Sequence, residues 1–150
     1  MTKADDFDLQ AFLPYLLNQA AEEASLGFQK VYKDHYGLLR SEWRVLFHLG
    51  IFGRLTATEI GSKGKVHKTK ISRAVQRLSD RRFVTRSRDA ADRRVEHLSL
   101  TRQGRAAYDD LRDVARRYDA ALMAALEPSE AAVLRRALRK LSEAGPGGFT

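Results

Sequence analysis

Hydrophobic and polar positions along the chain follow two different periods. Apolar residues at 9, 12, 13, 16, 17, 20, 24, 28 and 31 recur every three or four positions, the repeat of one helix face. Pro14 interrupts the start. A proline is tolerated in a first turn, so the spacing predicts a helix from about Leu13 to about Lys33, broken at Gly37. "SEWRVLFHLGIF" repeats the pattern, with Trp43, Leu46, Phe47 and Gly50 on one face and Gly53 at its end. Ser41 offers an N-cap and Glu42 an acid in the first turn. In "TATEIGSKG", Thr56 and Glu59 have the spacing of a capping box, and Gly61 and Gly64 keep the helix short. A fourth helix is expected over "VHKTKISRAVQRLSDRR". Ile71, Ala74, Val75 and Leu78 form its apolar stripe, and Thr69, Ser72, Arg73 and Gln76 its opposite face, flanked by Lys70 and Arg77.

The period then changes to two. "FVTRSR" and "RVEHLSL" read as strands around a "DAAD" turn, with Leu98 and Leu100 on one face. Helical spacing resumes in "TRQGRAAYDDLRDVARRYDAALMAAL", where Ala107, Leu111, Val114, Tyr118, Ala121 and Ala125 step alternately by four and three, a heptad-like seam. The last helix opens at Pro128 and aligns Leu134, Ala137, Leu138 and Leu141; "GPGGFT" reads as a loose tail. The expected fold is mainly α with a small β-wing. A helix-turn-helix with a two-stranded wing fills about 41–100, within a single domain of 150 residues. Flanking helices over about 9–36 and 101–144 have too little middle to pack on. They are expected to pack on each other and on a second copy, giving a symmetric homodimer.

Charge points to a partner. The net charge is +8. Between residues 63 and 94 twelve Lys and Arg face three acids, and no acid occurs from 66 to 79. Cationic charge focused on one segment is the footprint of nucleic-acid binding. No apolar run approaches the roughly 20 residues needed to span a bilayer, and no membrane partner is expected. The opening "MTKADDFDLQ" is acidic and polar, unlike a secretory signal, so a cytoplasmic protein is expected. The chain has no cysteine, which removes disulfides and thiolate metal sites. His35, His48, His67 and His97 match no zinc spacing. No metal or cofactor is expected, and no nucleophile–base–acid set suggests an enzyme.

The fourth helix offers amide, hydroxyl and guanidinium groups on its outward face. Gln pairs with adenine edges and Arg with guanine edges in the major groove. Lys68, Thr69 and Lys70 lie near the helix start, the end that enters the groove in helix-turn-helix proteins. Arg94 sits at the wing tip, where a guanidinium can enter a narrow minor groove. Asp92, two residues away, would share its side on an extended strand and hold it through a bidentate pair. Arg86, Arg88 and Arg93 are candidates for phosphate contacts. The plainer alternative is a solvated polar face with a surface ion pair worth about 0–1 kcal/mol.

Residues 41 to 105 resemble the MarR family of bacterial winged helix-turn-helix transcription regulators. The resemblance is carried by "SEWRVL", "TATEI", "HKTKISRAVQRL" and "VTRSRDAADRRVEHLSLTRQGR". Its most specific part is Asp92-Arg93-Arg94 followed by "LSLTRQG"; residues 9 to 143 also fit the family's length and element order. One departure is Arg82, where such chains usually carry a glycine. The resemblance implies a homodimer on a pseudo-palindromic double-stranded operator, acting as a repressor released by a small aromatic or phenolic ligand. It implies the same bracing role for Asp92 and Arg94. It also implies an effector pocket between the dimer helices and the DNA-binding lobe, a region that contains Tyr36, Arg40, Trp43 and Arg44. Two other readings fit the sequence: an effector-independent architectural DNA-binding protein, and a winged-helix module that uses its basic face on an acidic protein.

Overall fold

The computed structural model describes residues 4–145. They fall into two compact units, one ending at Val114 and one beginning at Ala115.

In the first unit a short 3-10 turn precedes α1 (Leu13–Tyr36). Helix α1 runs past Lys33 because Gly37 closes it: at φ 63 its N–H donates to the Lys33 carbonyl. Helix α2 (Arg40–Phe52) starts earlier than expected. The N–H groups of Glu42 and Trp43 both donate to the Leu39 carbonyl, so Leu39 and not Ser41 is the N-cap. A strand that was not foreseen, β1 (Leu55–Thr56), follows; two residues are too few to show a period. Helix α3 (Ala57–Gly64) carries the expected capping box, with Glu59 N–H donating to Thr56 Oγ1 at 3.2 Å and Thr56 N–H to Glu59 Oε1 at 3.1 Å.

Helix α4 (Lys68–Asp80) is shorter at both ends than the predicted span. At its start the His67 ring accepts the Thr69 N–H through Nδ1 at 3.2 Å. At its end Arg82 takes the left-handed conformation, φ 63, while its N–H donates to Ser79 and that of Phe83 to Leu78. This pair of bonds is the Schellman closure, normally built on glycine. Arg82 therefore adopts, without being glycine, the left-handed geometry that this closure requires.

Strands β2 (Val84–Arg88) and β3 (Glu96–Leu100) form the wing, and β1 completes a three-stranded antiparallel sheet of order β1-β3-β2. Leu55 faces Leu98, and Arg86 also lies opposite Leu98. The two-stranded wing of the sequence reading is thus tied by β3 to the helix-turn-helix itself. Helix α5 (Arg102–Met123) begins against the same corner. Thr101 Oγ1 donates to the Arg82 carbonyl and accepts the Gly104 N–H. A Cβ on Gly104 would stand 2.0 Å from the Phe83 carbonyl oxygen, so only glycine fits there.

The core collects Leu38, Val45, Leu46, Leu49, Ile60, the α4 stripe, Leu98 and Leu111. Phe28, Tyr32, Trp43 and Phe47 stack edge-on beside it. The predicted seam of α5 divides here: Ala107 and Leu111 are buried in this core.

The second unit contains the end of α5 and α6 (Pro128–Ala144), which opens on a Glu127–Glu130 capping box. Arg135 reaches Asp119 at 2.7 Å. Val133, Leu134, Leu138 and Leu141 are exposed on the single chain. Apart from Gly145, the expected loose tail lies outside the described residues. Among the described residues, no helix is long and apolar enough to cross a membrane.

Candidate nucleic-acid interface

Burying Ile71, Ala74, Val75 and Leu78 forces the other face of α4 outward. Lys68, Thr69, Lys70, Ser72, Arg73 and Gln76 are all exposed. Among the described residues no hydrogen bond or ion pair holds the side chains of Lys68, Lys70, Arg73 or Arg93. They remain available to a polyanion. Arg77 is different: its Nε meets Glu42 Oε2 at 3.1 Å, and Glu42 is the buried acid of the core, 2% exposed. Arg77 therefore fastens α4 to α2. Gln76 is held from both ends, accepting from Arg86 Nη1 at 2.9 Å and donating to Asp80 at 2.9 Å. Arg86 also pairs with Glu96 at 3.0 Å.

The wing tip is organised by Asp89. Its Oδ2 accepts the N–H groups of Ala91 and Asp92, and its Oδ1 lies 3.2 Å from His97 Nε2. The Asp92 backbone bond, then His97, holds the Asp89 carboxyl below its ordinary range. Asp92 in turn accepts three bonds from Arg94: one from its N–H and two from its guanidinium, at 3.1 and 3.2 Å. These bonds hold the Asp92 carboxyl below its ordinary range as well. The pairing of Asp92 with Arg94 was expected from an extended strand. The bidentate pair is present, but both residues lie in the turn between β2 and β3 and not on an extended strand, and the carboxylate accepts the Arg94 backbone N–H in addition. The Arg94 side chain is 91% exposed, a cation braced yet aimed at solvent. Arg88 Nη1 closes the turn on the Arg93 carbonyl at 2.8 Å.

The four residues considered for an effector do not converge. Arg40 and Arg44 line a cavity of about 540 Å³ with Ser41, Lys70, Arg73 and Arg77, beside the uncapped start of α2. Trp43 is committed to the aromatic cluster. The Tyr36 hydroxyl donates to Asp110 at 2.6 Å; burial, then that carboxylate, push its pKa up to about 12. Arg40 also lies 3.6 Å from Glu22, and Arg44 donates to the Gly64 carbonyl. Among the described residues no three metal-binding side chains cluster.

Sequence reasoning missed four contributors: Glu42, Asp89, His97 and Arg81, which donates to the Tyr36 carbonyl and lies over the Phe83 ring. Asp89 was findable, since an aspartate opening a tight turn commonly bonds the backbone two residues on. Glu42 and Arg81 act across long sequence separations that no local spacing records, and His97 reaches Asp89 only once the hairpin has closed.

The profile of the MarR family matches residues 36–95. An HTH-type transcriptional regulator of Bacillus subtilis (strain 168), YwoH, itself uncharacterized, is 29% identical over 99 residues, covering 65% of this chain and 72% of its own. The structure of the MarR family regulator SPO1453 from Silicibacter pomeroyi DSS-3 superimposes with a TM-score of 0.79 at 33% identity, covering 92% of this chain and 98% of that one. That of BpsR from Bordetella bronchiseptica gives a TM-score of 0.84 at 24% identity, covering 92% and 98%. A braced wing arginine, an outward cationic helix and near full-length similarity at 33% identity lead to one conclusion: the chain belongs to the MarR family of helix-turn-helix transcription regulators, a family of DNA-binding proteins and not of enzymes.

Proposed function

We propose that the protein is a cytoplasmic, homodimeric repressor whose two winged lobes each read half of a pseudo-palindromic operator. Lys68, Thr69, Lys70, Ser72, Arg73 and Gln76 enter the major groove, Arg93 meets phosphate and Arg94 enters the flanking minor groove. One observation carries this reading. Arg94 is held by three bonds to Asp92 while its side chain stays 91% exposed, a preset finger that a flat protein surface would not need. A cation fixed in this way is suited to the concentrated negative potential of a narrow minor groove.

The effector is an anionic small molecule in the cavity beside Arg40 and Arg44. Its cationic lining suits a carboxylate, and the start of α2, which has no side-chain cap, favours negative charge. No Phe, Tyr or Trp lines it, so charge and not stacking supports this choice. The fold is compatible with such control: DNA binding by BpsR is regulated by 6-hydroxynicotinic acid. Release requires the ligand to prefer the DNA-free arrangement. Here Lys70 and Arg73 line the cavity and also face the groove, so ligand and DNA would share them.

The test is selection of duplexes from a random library, then fluorescence anisotropy against a scrambled duplex. The selected duplex is expected to bind at least about 10³-fold tighter. Equal, steeply salt-dependent binding to both would leave only the phosphate contribution, and with it the architectural reading. DNA affinity unaffected by every anion that binds the protein would end the effector proposal alone.

A further inference from the structure

We infer that Arg86 and Gln76 form one reading unit: Arg86, anchored by Glu96, fixes the polarity of the Gln76 side-chain amide, so that α4 presents one spare donor and one spare acceptor in a set order, the complement of an adenine edge. The inference rests on the DNA-reading role of α4. It goes further by giving Arg86 a positioning role in place of a phosphate contact, and by assigning Gln76 a base.

A glutamine amide has two acceptor sites on its oxygen and two donors on its nitrogen. On an open helix face its two flipped forms are nearly equivalent. Here Oε1 lies 2.9 Å from Arg86 Nη1 and Nε2 lies 2.9 Å from Asp80 Oδ1. A flip would set N–H against guanidinium and oxygen against carboxylate, unfavourable at both ends. The flanking charges therefore select one form. Once these bonds are made, the oxygen keeps one acceptor site and the nitrogen one donor. In the major groove adenine offers an acceptor at N7 and a donor at N6, whereas guanine offers two acceptors. Adenine alone uses both spare positions.

Arg86 is itself fixed. It lies opposite Leu98 in the β2–β3 register, and Glu96, two residues along β3, shares its face. The Nε of Arg86 meets Glu96 at 3.0 Å, and the two side chains are 35% and 29% exposed. Exposed pairs are individually weak. DNA seated on α4 would exclude water from this one and strengthen it. The wing thus sets a side chain on the recognition helix.

The experiment uses the full chain and the duplex it selects from a random library. Wild type, Arg86→Met, Arg86→Lys, Gln76→Ala and the Arg86→Met/Gln76→Ala double variant are compared on the selected duplex, on duplexes changed at each base pair in turn, and on a scrambled duplex. Circular dichroism verifies folding. The wild type should prefer A·T about tenfold at the one position of each half-site whose preference Gln76→Ala abolishes. Arg86→Met and Arg86→Lys should both lose that preference, leave scrambled binding and its salt slope unchanged, and add nothing in the Gln76→Ala background. Equal weakening on every duplex by Arg86→Met, with the salt slope shallower by about 0.9 for each protomer bound and restored by Arg86→Lys, would make Arg86 a phosphate contact and overturn the inference. Additive losses in the double variant, or a preferred pair other than A·T, would overturn it too. Failure of the wild type to select any sequence would end the DNA-reading role itself, and would be seen before any variant is made.

Discussion

At the scale of single residues, what distinguishes the basic surface is how many of its cations are already held. Arg77, Arg86, Arg88 and Arg94 each bond an acceptor of their own chain, while among the described residues Lys68, Lys70, Arg73 and Arg93 have none. Arg94→Ala should therefore remove a preset contact and weaken operator binding by roughly 10- to 100-fold, the range of a hydrogen bond to a charged group. Asp92→Asn should cost less, since the cation remains but loses its brace. Anisotropy on the selected duplex measures both; equal losses in the two variants would show that bracing is all that matters. The wing acids add a pH dependence. Asp89 and Asp92 titrate below the ordinary value of about 3.9 in the folded wing. Their contribution to the turn is then present above pH 4 and is lost as pH falls through the lowered values. NMR shifts of the Ala91 and Asp92 amides should follow Asp89 and that of the Arg94 amide Asp92, each with a midpoint below about 3.9; a midpoint above it would contradict the bonds described here.

At the scale of elements, the corner joining α4, the wing and α5 is where local chemistry is least forgiving. The Phe83 carbonyl accepts the Thr101 N–H and leaves no room for a side chain at Gly104. Gly104→Ala should destabilise the fold by about 3 kcal/mol, since overpacking must move backbone here. Arg82→Gly should act in the opposite sense. A left-handed non-glycine residue costs about 1–2 kcal/mol, part of which glycine returns as unfolded-state entropy. A net gain near 1 kcal/mol, or about 2–4 °C in thermal melts, is expected; a loss would mean that the Arg82 side chain contributes more than its backbone conformation costs. Much of this level was legible in the sequence. The α4 stripe, the Thr56–Glu59 box and the alternation in the wing strands are local patterns, and the structure keeps them. Strand β1 was not legible, because two residues carry no period and its existence depends on β3 some 40 residues later. For the same reason the Glu42–Arg77 pair and the Arg86–Gln76 bond were invisible. The sequence marked those arginines as cations without showing which already had a partner. The Ser41 cap was misplaced because Leu39, with no side-chain acceptor, closes the first turn with its carbonyl alone.

At the scale of the whole molecule, each compact unit leaves apolar surface uncovered. Leu13 and Leu16 are exposed on α1 in the first, and Val133, Leu134, Leu138 and Leu141 on α6 in the second. Isolated apolar residues on a surface need no explanation, but a stripe along one helix does. Leu138→Asp should shift the protein from dimer to monomer in analytical ultracentrifugation and reduce operator affinity with it; an unchanged dimer would place the interface elsewhere. In the proposed dimer the two-fold axis would set the geometry of recognition, because a paired set of lobes reads two half-sites at a fixed spacing.

The most direct test of that geometry is hydroxyl-radical footprinting on the selected duplex. Two protected segments on one side of the helix are expected, their centres about 34 Å apart or a multiple of it. Each should be flanked by minor-groove protection that Arg94→Ala removes. Uniform protection without spacing, or flanks indifferent to Arg94, would contradict paired, wing-assisted reading of an operator.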